Sequence, residues 1–259
     1  MFFDSHIHTI FSTDSKMTIE ESIATSEKLG LGINITEHMD LAYPKPQAFI
    51  FDQDEYFEKY APYRSNRVRL GVELGMRIDC LEEKRKIAGD KRFDFVIGSI
   101  HVIDNVDIYD GVFFWHRCKK EVYDNYFNNM IDCLKESDFI HSLGHIDYIA
   151  RYALYPEPEI YYEEYREKID TVLSILASRD QAIEINTRRL NDETSVQNMR
   201  TILKRFASLK GRLVTLGSDA HQAKNIGYML KDAAELAKEC GLSVVCFKEG
   251  RPQYVQQAM

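Results

Sequence analysis

The chain opens "MFFDSHIHTIFSTDS", and its first chemically suggestive feature is the pair His6 and His8, one residue apart, with Asp14 six residues further on. In a strand, side chains two residues apart point to the same face, so His-x-His can present two imidazoles together. Similar residues recur along the chain: His38 in "ITEHMD", Glu73 in "GVELG", His101 in "GSIHVID", His145 in "LGHIDYIAR", and Asp219 with His221 in "LGSDAH". Imidazole and carboxylate donors without thiolate suit zinc, manganese or iron. A carboxylate can also bridge two ions, which makes Glu73 the natural bridge; its other reading is a strand-end partner for Arg77. Asp14 reads either as a ligand or as a turn or N-cap aspartate in "STDSK".

The elements that would position these residues follow from the hydrophobic pattern. Short apolar runs rich in β-branched residues alternate with longer stretches of helical spacing. Strands are predicted at "FFDSH", 31–36, 67–74, 93–100, 139–145, 181–186, 212–218 and 242–247. Helices are predicted at 18–29 and near 54–64, 119–136, 160–178, 195–209 and 228–240, with loops at 102–117 and 151–159. Thr18 suits an N-cap, Glu20 and Glu21 suit a first turn, and Gly30 suits a C-terminal stop. Seven or eight alternating strands imply parallel pairing through right-handed crossovers, and at 259 residues a closed barrel is more economical than an open sheet. No linker, low-complexity tract or repeat divides the chain, which reads as one domain over 1–259.

On this map six of the eight histidines, with Glu73 and Asp219, fall at or near strand C-termini, the edge where parallel α/β folds build active sites. His116 lies in a loop, and His141 has the opposite strand parity, so neither joins the set. Buried together without purpose, these polar groups would be costly; metal ions remove that cost.

Composition excludes several classes. No apolar run approaches the roughly 18 residues of a membrane span, and the start lacks a signal-peptide pattern, so a soluble, cytoplasmic protein without membrane partner is expected. Five scattered cysteines, none in C-x-x-C spacing, offer neither a disulfide framework nor a thiolate zinc cage. A net charge of -8 disfavours nucleic-acid binding. Neither a dinucleotide fingerprint nor a Walker loop follows any strand, and no oligomeric state is legible.

In this order and at these strand ends, "DSHIHT", "ITEHMD", "GVELG", "GSIHVID", "LGHIDYIAR" and "LGSDAH" resemble the polymerase-and-histidinol-phosphatase (PHP) superfamily over Asp4 to His221. Length, Asp14 and "GHIDYIARY" are most similar to its histidinol-phosphate phosphatases. The resemblance implies a distorted seven-stranded (β/α)7 TIM-like barrel with three divalent ions, zinc, manganese or iron, at the C-terminal rim. His6, His8, Glu73 and Asp219 would hold the first; Glu73 would bridge to a second held by His101 and His145; Asp14, His38 and His221 would hold the third. Wider superfamily members commonly carry His where Asp14 stands.

Such a centre suits hydrolysis of a phosphate monoester, here L-histidinol phosphate to L-histidinol and phosphate. A water bridging two ions becomes hydroxide near neutral pH and can attack phosphorus in line. Three carboxylates against three divalent ions leave roughly +3 at the site, enough to attract a phosphate on an acidic protein. Glu73, Asp219 and His38 are the expected catalytic residues, with the leaving-group proton assigned to metal-bound water, His38 or Asp40. Arg151 and Arg188 are candidate phosphate contacts, since arginine's planar fork fits phosphate oxygens. Arg189 competes with Arg188 for the inward position, and Arg151 could instead pair with the acidic stretch after 156. Asp40, Tyr43, Asp104, Trp115 and Tyr152 are available to an amino-alcohol at the mouth. The alternatives are a PHP phosphoesterase acting on nucleotides or another small phosphate ester, a metal-dependent amidohydrolase, and a non-catalytic metal-binding module.

Overall fold

The computed structural model describes residues 1–255. Its main sheet is built from β1 (Phe3–Ile7), β2 (Gly32–Met39), β3 (Val68–Gly75), β4 (Phe95–Ser99), β7 (Ser142–Leu143), β8 (Ala182–Asn186), β9 (Leu213–Gly217), β10 (Ser243–Lys248) and β11 (Arg251–Tyr254), hydrogen-bonded in that order. Every neighbouring pair from β1 to β10 is parallel, and β10–β11 is antiparallel. The short strands β5 (Val102–Ile103) and β6 (Val106–Asp107) form a separate hairpin. β1 also meets the chain just after β9: Ile7 and Ala220 form a parallel bridge, with His8 N donating to Ala220 O at 2.9 Å and Ala220 N donating to His6 O at 3.3 Å.

Between the strands run α1 (Ile19–Leu29), α2 (Gln53–Tyr60), α3 (Leu81–Ala88), α4 (Lys119–Glu136), α5 (Tyr148–Tyr152), α6 (Arg166–Ser178), α7 (Glu193–Ser208) and α8 (Leu230–Glu239). α1 has the ends its sequence implies. Thr18 and Glu21 form a reciprocal capping box, and Gly30 closes the helix at φ 70°, where a side chain would be strained. One large hydrophobic cluster packs the helices against the sheet, and a smaller one gathers Phe95, Ile97, Val245 and Phe247. Among the described residues no helix is long and apolar enough to cross a membrane.

The resemblance implied seven strands and the sequence pattern seven or eight; among the described residues the main sheet has nine. β10 is the eighth run of the sequence pattern, and β11 carries no such signal: its four residues, "RPQY", are all exposed and include a proline. It is a strand because β10 supplies a partner. The segment 102–117, read as loop, holds the β5–β6 hairpin and a 3₁₀ turn at Gly111–Phe114. α3 was also missed, because "LEEKRKIA" is mostly charged. α5 takes the first residues of the loop placed at 151–159, and the run 139–145 is regular strand only at Ser142 and Leu143, flanked by single backbone bonds from His141 N to Val96 O and from Gly144 N to Gly98 O.

Candidate metal centre

The nine residues singled out as metal donors come together at the C-terminal ends of β1, β2, β3, β4, β7 and β9. Glu73 lies at their centre and is fully buried. Its Oε2 is 3.2 Å from His6 Nε2, 3.5 Å from His8 Nε2 and 2.9 Å from His38 Nδ1; its Oε1 is 3.0 Å from His145 Nε2 and 3.3 Å from His101 Nε2. Arg77 pairs with Asp79 instead, so Glu73 is free for the site. Asp219 Oδ1 lies 3.5 Å from His8 Nε2 and 3.6 Å from His221 Nδ1. Asp14 stands at the outer edge, partly exposed, 3.1 Å from His221 Nε2 and 3.7 Å from His38 Nε2.

Four overlapping triads have donor atoms all within 4.8 Å of one another: His6–His8–Glu73, His6–His145–Asp219, His38–Glu73–His101 and His8–His38–His221. His6 Nε2, His8 Nε2, His38 Nδ1, His221 Nε2 and Glu73 Oε2 are buried without a hydrogen-bond partner. Unpaired buried nitrogens and oxygens converging on one volume, with no thiol among them, fit divalent cations of the zinc, manganese or iron type.

The central carboxylates are held ionised. Burial opposes ionisation of Glu73, but His6, His101 and His38 outweigh it and hold its carboxyl well below the usual range. Burial likewise opposes Asp219, where His6, His8 and Arg151 prevail. His8 is pushed well down by burial and by His38 and His221. His145 is lowered by burial as well, whereas the surrounding carboxylates overcome burial and raise His6, His101 and His38, so a metal ion would displace protons from those three.

The backs of several imidazoles are fixed. His6 Nδ1 meets Glu184 Oε1 at 2.7 Å, His8 Nδ1 meets Ser12 Oγ at 3.0 Å, and His101 Nδ1 meets Asp40 Oδ1 at 3.0 Å. Each contact leaves Nε2 facing Glu73 or Asp219. Ser12 is in turn held by Glu37, which also takes Thr9 N at 3.0 Å. Asp4, pushed up to about 6 by burial, accepts from Ser218 N at 2.9 Å and Gly227 N at 2.8 Å and so secures the turn bearing Asp219. Asp219 itself sits at φ 54°, an uncommon backbone for a residue with a side chain. Gly217 and Gly75 are required by close approach: a Cβ at 217 would collide with Glu184 and His6, and one at 75 with Asp40.

Above the donors opens a cavity of about 530 Å³. Arg151 and Arg188 both line it, whereas Arg189 turns away to Asp147 and Glu159. Arg151 does not pair with the acidic stretch after 156: it is largely buried, donating to Asp219 Oδ2 at 2.7 Å and Asn186 Oδ1 at 3.0 Å. Arg188 Nη2 donates to Asp219 O at 2.9 Å. Of the five mouth candidates, Asp40, Tyr43 and Tyr152 line the cavity, while Asp104 and Trp115 do not. Asp107 does, hydrogen-bonded to the Tyr43 hydroxyl. His116 is exposed; His141, expected on the face opposite the rim, instead shares the parity of His145 four residues on, and lies off the metal centre because it stands near the other end of the strand, stacked on Phe247 at 4.9 Å with Phe95 at 6.2 Å.

The supporting carboxylates Glu184, Glu37, Asp4 and Asp107 were not singled out in the sequence. The signal available for the first two was a lone acid inside an apolar strand, "QAIEIN" and "INITEH".

Fold and site together define a parallel α/β protein with an imidazole–carboxylate metal centre at its strand ends. The chain belongs to the PHP domain family, whose model matches residues 4–188, and stands in its histidinol-phosphatase branch. It is 48% identical over 254 residues to a probable histidinol-phosphatase of Clostridium acetobutylicum, covering 98% of this chain and all of that one. It is 33% identical over 245 residues to the histidinol-phosphatase of Lactococcus lactis subsp. lactis, covering 92% of this chain and 91% of that one. Among solved structures it matches the crystal structure of histidinol phosphate phosphatase from Lactococcus lactis, complexed with zinc, L-histidinol and phosphate. The TM-score is 0.90 at 31% identity, over 97% of this chain and 98% of that one. A structure from Listeria monocytogenes, at 18% identity and a TM-score of 0.71, shares the fold.

Proposed function

We propose that the chain is a metal-dependent phosphomonoesterase that hydrolyses L-histidinol phosphate to L-histidinol and phosphate, acting in histidine biosynthesis in the cytoplasm. The observation that carries this is the meeting of nine metal-type donors under a cavity that also holds two arginines. The likeness to relatives named for this activity, one with zinc, histidinol and phosphate bound, supports the substrate. Five free cysteines suit a reducing compartment.

Three divalent ions, zinc, manganese or iron, would divide the donors: His6, His8, Glu73 and Asp219 for one; Glu73, His101 and His145 for a second; Asp14, His38 and His221 for a third. When bound, such ions activate water for in-line attack and neutralise phosphoryl charge. The protein's own share is positional. Glu73, Asp219 and His38 form the catalytic set, with Glu73 beneath the cavity and Asp219 and His38 in its wall. Arg151 is rigid, pinned by Asp219 and Asn186, and Arg188 is more open, so together they grip phosphate oxygens from one side. Across the cavity, Asp107 with Tyr43 offers a carboxylate to an ammonium group, which favours an amino-alcohol ester over a nucleotide. No nucleic acid or membrane is required as a partner.

In the same reading the sheet is a distorted barrel and the chain one domain. The Ile7–Ala220 bridge and the hydrophobic cluster running from Ile7 to Val244 support it.

The test is phosphate release by the purified chain with zinc, manganese or iron, offered histidinol phosphate, p-nitrophenyl phosphate and nucleotides. A marked preference for histidinol phosphate is expected. Comparable rates on all three would sink the substrate assignment, and no release on any would sink the enzyme.

A further inference from the structure

A second cavity, of about 510 Å³, lies at the opposite end of the sheet, where β3 and β4 begin and β10 ends. Arg64, Ser65, Asn66, Arg69, Asp94 and Lys248 are in its wall. The feature that sets it apart is Arg69. Strand alternation places it on the same face as Glu73, at the base of the sheet's interior rather than at its upper rim. Only 8% of its surface is exposed. Its guanidinium stacks on the Phe3 ring, 4.1 Å from the centroid, and Nη1 donates to Phe247 O at 2.8 Å. Nε is buried without a hydrogen-bond partner, and among the described residues no carboxylate lies within ion-pair distance of the group.

The neighbouring groups do not neutralise it. Asp94 is already committed: Oδ2 takes Leu70 N at 3.0 Å and Arg64 Nη1 at 3.1 Å, and Oδ1 takes Glu249 N at 3.0 Å. The Cys246 thiol lies close to Arg69, but burial raises its pKa, so it stays protonated and brings no negative charge. A buried guanidinium without a counter-ion is unfavourable unless something supplies one. Two more cations, Arg64 and exposed Lys248, face the same space with the exposed Glu249, so that three cations stand against two carboxylates in its wall, and Ser65 and Asn66 add neutral polar groups.

We propose that this cavity is a second ligand site, for a phosphate-type tetrahedral oxyanion, gripped from below by Arg69 and at its mouth by Arg64 and Lys248. Such an ion suits arginine's forked donors, and 510 Å³ leaves room for an organic group carrying it. Arg69 precedes Glu73 by four residues on one strand, which separates the two sites by roughly 13 Å. The second site would therefore fill independently of the metal centre. Binding there would join the start of β3, the chain leading into it and the end of β10.

The test uses the full chain with metal bound. In crystals soaked with sodium tungstate, an anomalous peak is expected among Arg64, Arg69 and Lys248, beside one at the upper rim that serves as internal control. In solution, calorimetric titration with sodium sulfate at constant ionic strength should resolve two sites in the parent chain. Arg69→Met, which keeps the stem packed on Phe3, should leave one. Lys248→Ala, a surface change, should weaken the second site by about tenfold. Phosphate release from p-nitrophenyl phosphate should stay within about twofold in both variants, as expected for charges remote from the reaction. Tighter Arg69-dependent binding of ribose 5-phosphate than of sulfate would identify an organic phosphate as the ligand; equal or weaker binding would identify the inorganic ion. Absence of the lower tungstate peak, or sulfate binding unchanged in both variants, would overturn the proposal.

Discussion

Glu184 reaches across from β8 to β1 and meets His6 Nδ1 at 2.7 Å, while its other oxygen takes the backbone N–H of His145 at 2.8 Å. One buried carboxylate thus orients two metal-type histidines at once. Partners of this kind fix the tautomer of the imidazole and raise its basicity, and their loss costs about 10- to 100-fold in metal affinity. We expect Glu184→Gln to bind zinc that much more weakly, as read by competition with a chelating dye, with near-parental circular dichroism. Gly217→Ala, which drives a methyl group into the same contact, should act in the same direction. Zinc affinity within about twofold of the parent in Glu184→Gln would remove this role from Glu184.

Arg151 and Arg188 both face the cavity but should fail differently. Arg188 holds Asp219 through the backbone carbonyl at 2.9 Å, with its Nε 4.0 Å from the carboxylate, a looser hold than that of Arg151, so Arg188→Ala is expected to keep its metal and raise KM for histidinol phosphate by about tenfold, the value of one charge-assisted contact. Arg151 is the ion-pair partner of the Asp219 carboxylate at 2.7 Å, and Arg151→Ala should lose metal as well as affinity for substrate. His6→Ala and Asp219→Ala should lose metal and activity together. Metal content by plasma emission, measured beside steady-state kinetics, separates the cases; metal loss in Arg188→Ala would contradict the distinction.

Most of the rim was legible in the sequence because its residues stand where an apolar run ends, so a map of strand ends is nearly a map of the site; Asp14, in the loop after β1, entered only through the family resemblance. His6, His38, Glu73 and Asp219 needed no tertiary knowledge beyond that rule. α1 was legible for a similarly local reason, its caps. What was not legible depends on contacts between distant segments. β11 exists because β10 offers it hydrogen bonds, and α3 lacks a continuous apolar stripe. Glu184 looked like an ordinary strand residue until β1 and β8 were placed across from each other. The choice between Arg188 and Arg189 turned on one 3₁₀ turn at Thr187–Arg189, whose direction the sequence does not display.

Selectivity for an amino-alcohol should rest on Asp107, whose carboxylate faces the cavity with the Tyr43 hydroxyl donating to it. Burial and Asp107 both push the Tyr43 phenol upward, so it remains a donor. Replacing the acid by an amide leaves cavity volume nearly unchanged and removes the charge. In Asp107→Asn we expect kcat/KM for histidinol phosphate to fall by about tenfold or more while that for p-nitrophenyl phosphate changes little, because only the first substrate carries an ammonium group. Equal losses on both substrates would show that Asp107 supports the cavity wall rather than reading the substrate.

His141 gives the fold an acid sensitivity separate from the metal centre. Its Nδ1 accepts the Val96 N–H at 2.9 Å, and its ring packs against Phe247 and Phe95, so burial, helped by Lys91, lowers its pKa from 6.5 to about 4. Between those values the unfolded chain binds a proton that the folded chain does not. This contribution is absent above pH 6.5; stability falls as pH drops below that, and the loss is complete once pH passes about 4. From pH 7 to pH 5 the loss is about 2 kcal/mol. His141→Asn keeps an acceptor for Val96 but cannot take up the proton. Urea unfolding of metal-stripped protein should therefore show a smaller drop in stability from pH 7 to pH 5 in the variant, by about that amount. Parallel stability curves for the two proteins would show that His141 titrates normally in the folded state.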